Sequence, residues 1–462
     1  MDSSSRPLYF PDYAKFKHYF DKKRSPRLVN GKLQRMVIQP HRPTAAAAAA
    51  QTAQPSDASK MVVQMTSESQ SEVERAEAQD KRVKALKRKA GVKCVTTKKI
   101  RRTDNINATP SKTAKVLKCT PSLFSQVRVY LQNQLVSSTN NHYAYKSMMK
   151  TLLEYGHEAK STQLTTQLFY KDVAEQNSDL ESSNVTGSIN GGMLSRASYI
   201  ADSKVLTMSG PIYEDIFDVN RYLLNEVDLT LKMYRSDPKF CLMSKVTEHE
   251  FKVQILDAYL QVCKVKVNPA LILAHNELFV KSNALYPYTK TEVKVTSIPT
   301  SQQTHSIDNV SNPVANRYIV GLVESASLNG SYTGNPFNFK SSMLKKVTLY
   351  VDGVSVPSQP TEADDVESYI NMLDGMDLWK KDEGNAITRS DFLLGSALFV
   401  FDLDKMCKDS EYLNLVKSGT IRLELEFKSA LINPLSCVVL TQRNSLIEID
   451  QARNVFVKLA RR

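Results

Sequence analysis

From Ser122 to the C-terminus the apolar residues of this chain recur with a period of two, in short runs bounded by turn residues. That alternation belongs to strands with one buried face, and strands recurring without crossover helices disfavour a parallel βαβ fold. Val127, Val129 and Leu131 fall on one side while Arg128 and Tyr130 fall on the other. The polar pair Gln132 and Asn133 then precedes Gln134, Leu135 and Val136, as in a hairpin. Val227, Leu229, Leu231 and Met233 alternate with Asp228, Thr230 and Lys232; Val253 and Ile255 lead into "AYLQVCKVKV", and Val293 and Val295 make another short run. After the polar loop "SIPTSQQTHSIDNVSNP" a second set follows: "RYIVGLVESA", "KKVTLYVDGVSVPSQP", "FLLGSALFVFDL", "GTIRLELEF" and "SCVVLTQRNSLIEIDQARNVFVKL". Asp352 and Gly353 form the dipeptide that a type I′ hairpin turn requires, because both central residues need positive φ. In "GTIRLELEF", Ile421, Leu423, Leu425 and Phe427 are expected on the buried face of a central strand, with Arg422, Glu424 and Glu426 opposite.

Two helical stretches interrupt these strands, near 143–155 and near 364–381, and each reads as an insertion in a loop. The first spaces Tyr145, Met148, Met149, Leu152 and Leu153 at three and four, with Gly156 expected as a left-handed stop. The expected fold class is therefore all-β, with two stacked antiparallel β-sandwiches of jelly-roll size, over residues 121–300 and 301–462, carrying short inserted helices.

Residues 1–120 differ in kind. They hold 26 Lys or Arg against 10 Asp or Glu, while the remainder holds 35 against 38, so the net charge of +13 resides entirely in the first quarter. Six aromatics crowd the first twenty residues (Tyr9, Phe10, Tyr13, Phe16, Tyr19, Phe20), and none occurs from 21 to 123. A segment that long without an aromatic is expected to be a disordered basic tail, with one exposed helix in "SEVERAEAQDKRVKALKRKAG". Its two basic clusters, Lys81, Arg82, Lys84, Lys87, Arg88, Lys89 and then Lys98, Lys99, Arg101, Arg102, have the spacing of a bipartite nuclear localisation signal. The same charges would neutralise phosphates without reading sequence, which makes DNA a candidate partner and the nucleus the expected location; a solvated charged linker is the bland alternative. The aromatic cluster "LYFPDYAKFKHYF" has the form of a short docking peptide.

Chemistry is sparse. No P-loop, dinucleotide fingerprint, nucleophile elbow or H-E-x-x-H occurs, so no catalytic residue, cofactor or small-molecule substrate is expected, and the chain does not read as an enzyme. The seven histidines are dispersed and the six cysteines (Cys94, Cys119, Cys241, Cys263, Cys407, Cys437) form no C-x-x-C pair, so neither a metal site nor a disulfide framework is expected. Asp402 and Asp404 in "FVFDLDK" stand at i and i+2 and could share a hard cation, or simply make a polar strand face. No run of eighteen apolar residues exists, so a membrane partner is not expected.

The segments "SLFSQVRVYLQNQLV", "YKSMMKTLLEYGHEAKSTQL", "LFYKD", "GPIYEDIFDVNRYLLNEVDLTLKMYRSDPKFCLM", "KVQILDAYLQVCKVKVNPALILAH", "NPFNF", "LYVDGVSVPSQP", "LFVFDLD", "GTIRLELEF" and "LIEIDQARNV", in that order, resemble the capsid proteins of Polinton (Maverick) elements and adintoviruses, including uncharacterised invertebrate relatives. The resemblance runs over about residues 121–457. It implies a double jelly-roll major capsid protein, a homotrimer whose six barrels form a pseudo-hexagonal capsomer within a virion lattice, with no catalytic residues to carry over. "INGGM" at Ile189 to Met193 has the form cleaved by adenovirus-type maturation proteases, although a flexible loop explains those glycines equally well. Such proteins begin with strands where this chain has its basic tail, which implies a first jelly roll without its leading strands. A decayed or host-adopted copy, acting as a nuclear DNA-associated protein, is the alternative.

Overall fold

The computed structural model describes residues 120–173, 190–201, 204–244, 251, 253–341, 343–404 and 419–459, together with four strand segments earlier in the chain. Those four are β1 (Lys60–Met65), β2 (Lys84–Leu86), β3 (Lys98–Arg101) and β4 (Lys115–Leu117). The first half continues with β5 (Phe124–Leu131), β6 (Gln134–Ser138), β7 (Leu206–Met208), β8 (Leu229–Arg235), β9 (Leu242–Ser244), β10 (Gln254–Ile255) and β11 (Lys264–Lys266). The second half holds β12 (Ala284–Ile298), β13 (Thr304–Asp308), β14 (Arg317–Glu324), β15 (Leu344–Val351), β16 (Val354–Val356), β17 (Leu398–Asp402), β18 (Ile421–Phe427), β19 (Leu435–Ile449) and β20 (Val455–Leu459). All these strands pair antiparallel, and the architecture is the all-β double jelly roll with short inserted helices.

The second roll is two facing sheets, β12-β19-β14-β17 with β20 paired to β19, and β13-β18-β15-β16. In β18 the alternation is strict: Ile421, Leu423, Leu425 and Phe427 are buried, while Arg422 is exposed and Glu424 and Glu426 are half-buried. Asp352 and Gly353 sit at φ 51° and 83° between β15 and β16, in the mirror-image turn that matches the twist of the flanking strands. The Asp352 carboxylate accepts from the Thr420 amide at 2.7 Å, which fastens this turn to the start of β18. Gln132 and Asn133, at φ 46° and 63°, turn β5 into β6 in the same way.

The first roll is assembled from smaller pieces. Its main sheet runs β1-β8-β5-β6, and β10-β3-β7, β11-β2 and β4-β9 complete it. The leading strands are therefore not missing: β1 pairs with β8 from Lys60↔Tyr234 to Met65↔Leu229 and covers what would have been the open edge of β8. Strand pairing needs backbone groups and a few apolar side chains in sequence, as in "KMVVQM", not aromatics. Within the segment expected as an exposed helix, Lys84–Leu86 is strand β2 instead; the rest of that segment and the aromatic cluster lie outside the described residues.

Two hydrophobic cores result, and no single position near residue 300 parts them. β12 and β19 pair in register over all fifteen residues, from Ala284↔Ile449 to Ile298↔Leu435, a ladder of about 50 Å. Tyr286, Tyr288, Ile447 and Ile449 at one end belong to the first core, and Val293, Ile298, Val438 and Leu440 at the other belong to the second.

Helices are more numerous than the two expected. Among the described residues α1 (Tyr143–Glu154), α2 (His157–Ser161), α3 (Gly191–Ile200), α4 (Pro269–Lys281), α5 (Val366–Gly375) and α6 (Arg389–Leu394) are the longer ones. Gly156 is not a left-handed stop: its φ is −76°, and it stands at the N-cap of α2, so the chain leaves α1 through extended Tyr155. The first half of "FLLGSALFVFDL" is helix rather than strand, because Thr388 and Asp391 form a capping box that starts α6. "AYLQVCKVKV" is mostly irregular, with only Lys264–Lys266 paired. In "INGGM", Asn190 caps α3 by accepting from the Met193 amide at 3.2 Å, and a Cβ on Gly192 would collide with the Lys171 carbonyl oxygen. Close packing accounts for that glycine without a flexible loop.

Candidate functional site

The sequence marks α1 as an insertion, yet the structure makes it the bolt between the two rolls. Tyr143 packs into the first core, while Ala144, Tyr145, Met148, Met149 and Leu153 pack into the second. The remaining face carries Lys146 and Lys150 inward, toward the single turn at Asp215–Phe217. Lys146 Nζ lies 3.1 Å from Glu214 and 3.0 Å from Asp215, and all three side chains are at most 2% exposed. Lys150 reaches Asp215 at 3.5 Å and the more exposed Asp218 at 2.9 Å. Asp215 also accepts from the Thr291 amide on β12 at 2.8 Å, and Ser137 on β6 donates to Glu214. The cluster thus ties α1, β6 and β12 through charge-assisted bonds in a place where water is excluded.

Its electrostatics follow from that placement. Burial pushes the Glu214 carboxyl above the ordinary carboxylate range, with Lys146 opposing and Asp215 adding to the shift. For Lys150 burial favours the neutral amine, but the carboxylates of Asp215, Glu154 and Asp218 outweigh it and hold the ammonium above its usual value. A lone charge here would cost several kcal/mol, so the paired carboxylates and amines stabilise each other far more than they would at a surface.

A second contact between distant parts of the chain is made by Lys160, in α2. Its amine donates to the Leu152 carbonyl at 2.7 Å and to the Asn385 carbonyl from the second half of the chain. Burial, with Lys171 nearby, pushes this amine down to about 7. It lines a cavity of about 90 Å³ together with Met148, Phe169, Phe337 and Ile387, whose rim holds the ion pairs Lys171–Asp391 (2.6 Å) and Arg196–Asp172 (2.6 Å).

Other expected chemistry resolves into structural roles. Asp402 pairs with Arg317 at 3.2 Å and accepts from the Asp404 amide at 2.9 Å, while Asp404 accepts from the Asn316 side chain. The two carboxylates are held by an arginine and an amide rather than arranged around a cation, and among the described residues no group of three or more His, Cys, Asp or Glu could hold a metal. Cys241 and Cys437 are buried apart, and burial pushes the Cys437 thiol up to about 12; Cys407, Cys94 and Cys119 lie outside the described residues. Among the described residues no helix is long and apolar enough to cross a membrane.

Of the basic residues singled out in the sequence, Lys84 falls in β2 and Lys98, Lys99 and Arg101 fall in β3; Lys81, Arg82, Lys87, Arg88, Lys89 and Arg102 lie outside the described residues. A feature that sequence reading missed is α4. Asn268 caps it, accepting from the Ala270 amide at 3.0 Å, and Pro269 opens it, so "NPALILAHNELFVK" carried a readable start signal. None of its residues is buried: Leu273 is 65% and Val280 67% exposed, and Leu271 and Leu278 are exposed beside them. Its contact with the body includes the Arg453 guanidinium over the Phe279 ring, 5.7 Å from the centroid.

No family profile matches the chain. An uncharacterised protein of Caenorhabditis elegans, F54H12.2, is 22% identical over 347 residues, covering 73% of this chain and 80% of the relative. Among solved structures, a chain of the Sputnik virophage particle superposes with a TM-score of 0.56 at 13% identity, covering 99% of this chain and 95% of its own. The fold is that of the double jelly-roll viral capsid proteins. The major capsid protein of mavirus agrees, with a TM-score of 0.53 at 12% identity over 100% of this chain and 96% of that one, and so does the capsid of PBCV-1 at 0.50 and 8% identity. At such identities the likeness speaks for the fold, end to end, and not for individual residues.

Proposed function

We propose that this protein is a capsid-type structural protein, not an enzyme, whose work is self-association into trimeric capsomers and a lattice. The observation that carries the reading is coverage: both rolls, in order, correspond to nearly the whole of the mavirus major capsid protein. The exposed apolar residues of α4 support it, since soluble monomers seldom leave such a patch open and a neighbouring copy would bury it. The resemblance to Polinton and adintovirus capsid proteins supports an origin in a virus-like transposable element.

Size-exclusion chromatography with light scattering on the full chain, followed by electron microscopy, tests this. Trimers or closed particles support it, and a monomer at every concentration tried contradicts it. A second reading, a host-adopted derivative that associates with DNA in the nucleus, draws on the charge concentrated before residue 120. A reporter fused to residues 70–120 should accumulate in nuclei, and Ala in place of Lys87, Arg88, Lys89, Lys98, Lys99, Arg101 and Arg102 should abolish that accumulation; unchanged localisation would leave these residues as a solvated linker.

A further inference from the structure

The cavity beside α2 encloses a buried cation without a counter-ion. Lys160 is 8% exposed, and the charged group that acts on its amine is Lys171, of the same sign; among the described residues it forms no ion pair. An ammonium has three N–H donors, and the bonds to the Leu152 and Asn385 carbonyls use two of them. Asn385, itself 1% exposed, has a side-chain Nδ2 that finds no hydrogen-bond partner among the described residues. Buried donors left over in this way cost stability until something accepts from them. The rim does not supply the missing negative charge, because Asp391 and Asp172 are already matched by Lys171 and Arg196, which are held further by the Ala386 and Tyr170 carbonyls. With the Lys160 amine protonated, the charges lining the cavity therefore leave one positive charge unbalanced. The remaining walls are largely apolar, formed by Met148 and Leu152 of α1 with Phe169, Phe337 and Ile387. A volume of about 90 Å³ is several times the roughly 10–15 Å³ that one ordered water requires, so the space takes a small organic molecule.

We propose that this cavity binds a small organic monoanion, a carboxylate on a short apolar stem, in which the Lys160 ammonium donates to the carboxylate and Met148, Phe169, Phe337 and Ile387 surround the stem. The inference goes beyond the capsid reading and does not depend on it. Each feature sets aside an alternative. A cation would meet Lys160 with like charge, a dianion such as phosphate exceeds the single charge to be balanced and gains nothing from the apolar wall, and water satisfies the donors without balancing the charge. A bound carboxylate adds to the bonds that already join α2 to the end of α1 and to the chain before α6, so occupancy should raise the thermal midpoint of the folded protein. Sequence reading missed the site because its lysine and its apolar wall come from segments as far apart as Met148 and Ile387.

The test is saturation-transfer NMR on the full chain with butyrate, run beside butylamine and 1-butanol, which carry the same stem with the opposite charge and with none. Butyrate should bind about tenfold or more tightly than butanol, the difference that a charge-assisted bond in a dry site makes, and butylamine should not bind. Lys160→Met keeps the length and removes the charge, so butyrate should lose about the same tenfold while butanol binding is retained. The variant's thermal midpoint without ligand reports its folding. Ile387→Phe, which narrows the cavity from its apolar wall and leaves Lys160 in place, is the second variant and should exclude butyrate. Unchanged butyrate affinity in either folded variant puts the anion elsewhere and overturns the site. Equal affinity for butyrate and butanol overturns the carboxylate and leaves an apolar void, and no transfer to butyrate at millimolar concentration overturns the proposal altogether.

Discussion

The two rolls reach the same architecture by different means. The second has the longer strands, β12 and β19 reaching fifteen residues and β14 and β17 buried almost without interruption, and β18 alone supplies four side chains that are each at most 1% exposed. The first is built from many strands of two to eight residues, four of them from the segment before Thr120, and it is joined to its neighbour by a buried cluster of charges carried on α1. Where strands are long, burial of alternate side chains is enough to specify pairing. Where they are short, each contributes little apolar area, and directional contacts such as Lys146 with Glu214 and Asp215 take over the task of fixing one arrangement.

That contrast can be broken most sharply at the junction. Lys146→Met should leave Glu214 buried without its ammonium and Asp215 with only the more distant Lys150, and cost about 3–5 kcal/mol in chemical denaturation, whereas removing the charges of Lys146, Glu214 and Asp215 together should recover part of the loss. A loss no greater than that of a surface change would show that the cluster does not hold the rolls. In the second roll Leu423→Ala should cost about 2–5 kcal/mol through lost burial and a residual cavity. Here no charge partner enters, so the effect should be nearly independent of pH.

Lys160 sharpens the comparison through pH. Its folded-state amine is pushed down to about 7, below the unfolded value, so between roughly pH 7 and 10 the unfolded chain binds the extra proton. Stability should therefore rise with pH through that window, by up to about 1.4 kcal/mol per pH unit, and be lost as pH falls toward 7. Lys160→Met should flatten the curve, and an identical slope in wild type and variant would exclude this amine as its source. The smallest effect is expected at Glu424→Ala, within about 0.5 kcal/mol for the folded monomer, since its side chain is one-third exposed on the polar face of β18. If oligomer mass falls while the unfolding midpoint holds, that face meets a neighbouring subunit.

Much of this was legible in the residues. The hairpin at Gln132 and Asn133, the turn at Asp352 and Gly353 and the buried face of β18 all follow from local rules of backbone geometry. Capping signals at Asn268 and Pro269 and at Thr388 and Asp391 were equally local, and attention to them finds α4 and α6. The strands of the basic segment were not legible in this way, because "KAL" and "KKIR" carry too few apolar residues to show a period.

What the sequence determined by itself is the kind of structure: antiparallel sheets, two groups of strands and the residues that turn between them. Alternation and turn chemistry depend on φ, ψ and the neighbouring side chain, which the chain carries locally. Only the tertiary structure decided that β12 and β19 serve both cores, that α1 buries two lysines against Glu214 and Asp215, and that Lys266 stands opposite Lys84. Those are contacts between residues tens to hundreds of positions apart. Which partner neutralises a buried charge, or covers a strand edge, is settled by packing the whole chain at once, and no window of sequence contains it.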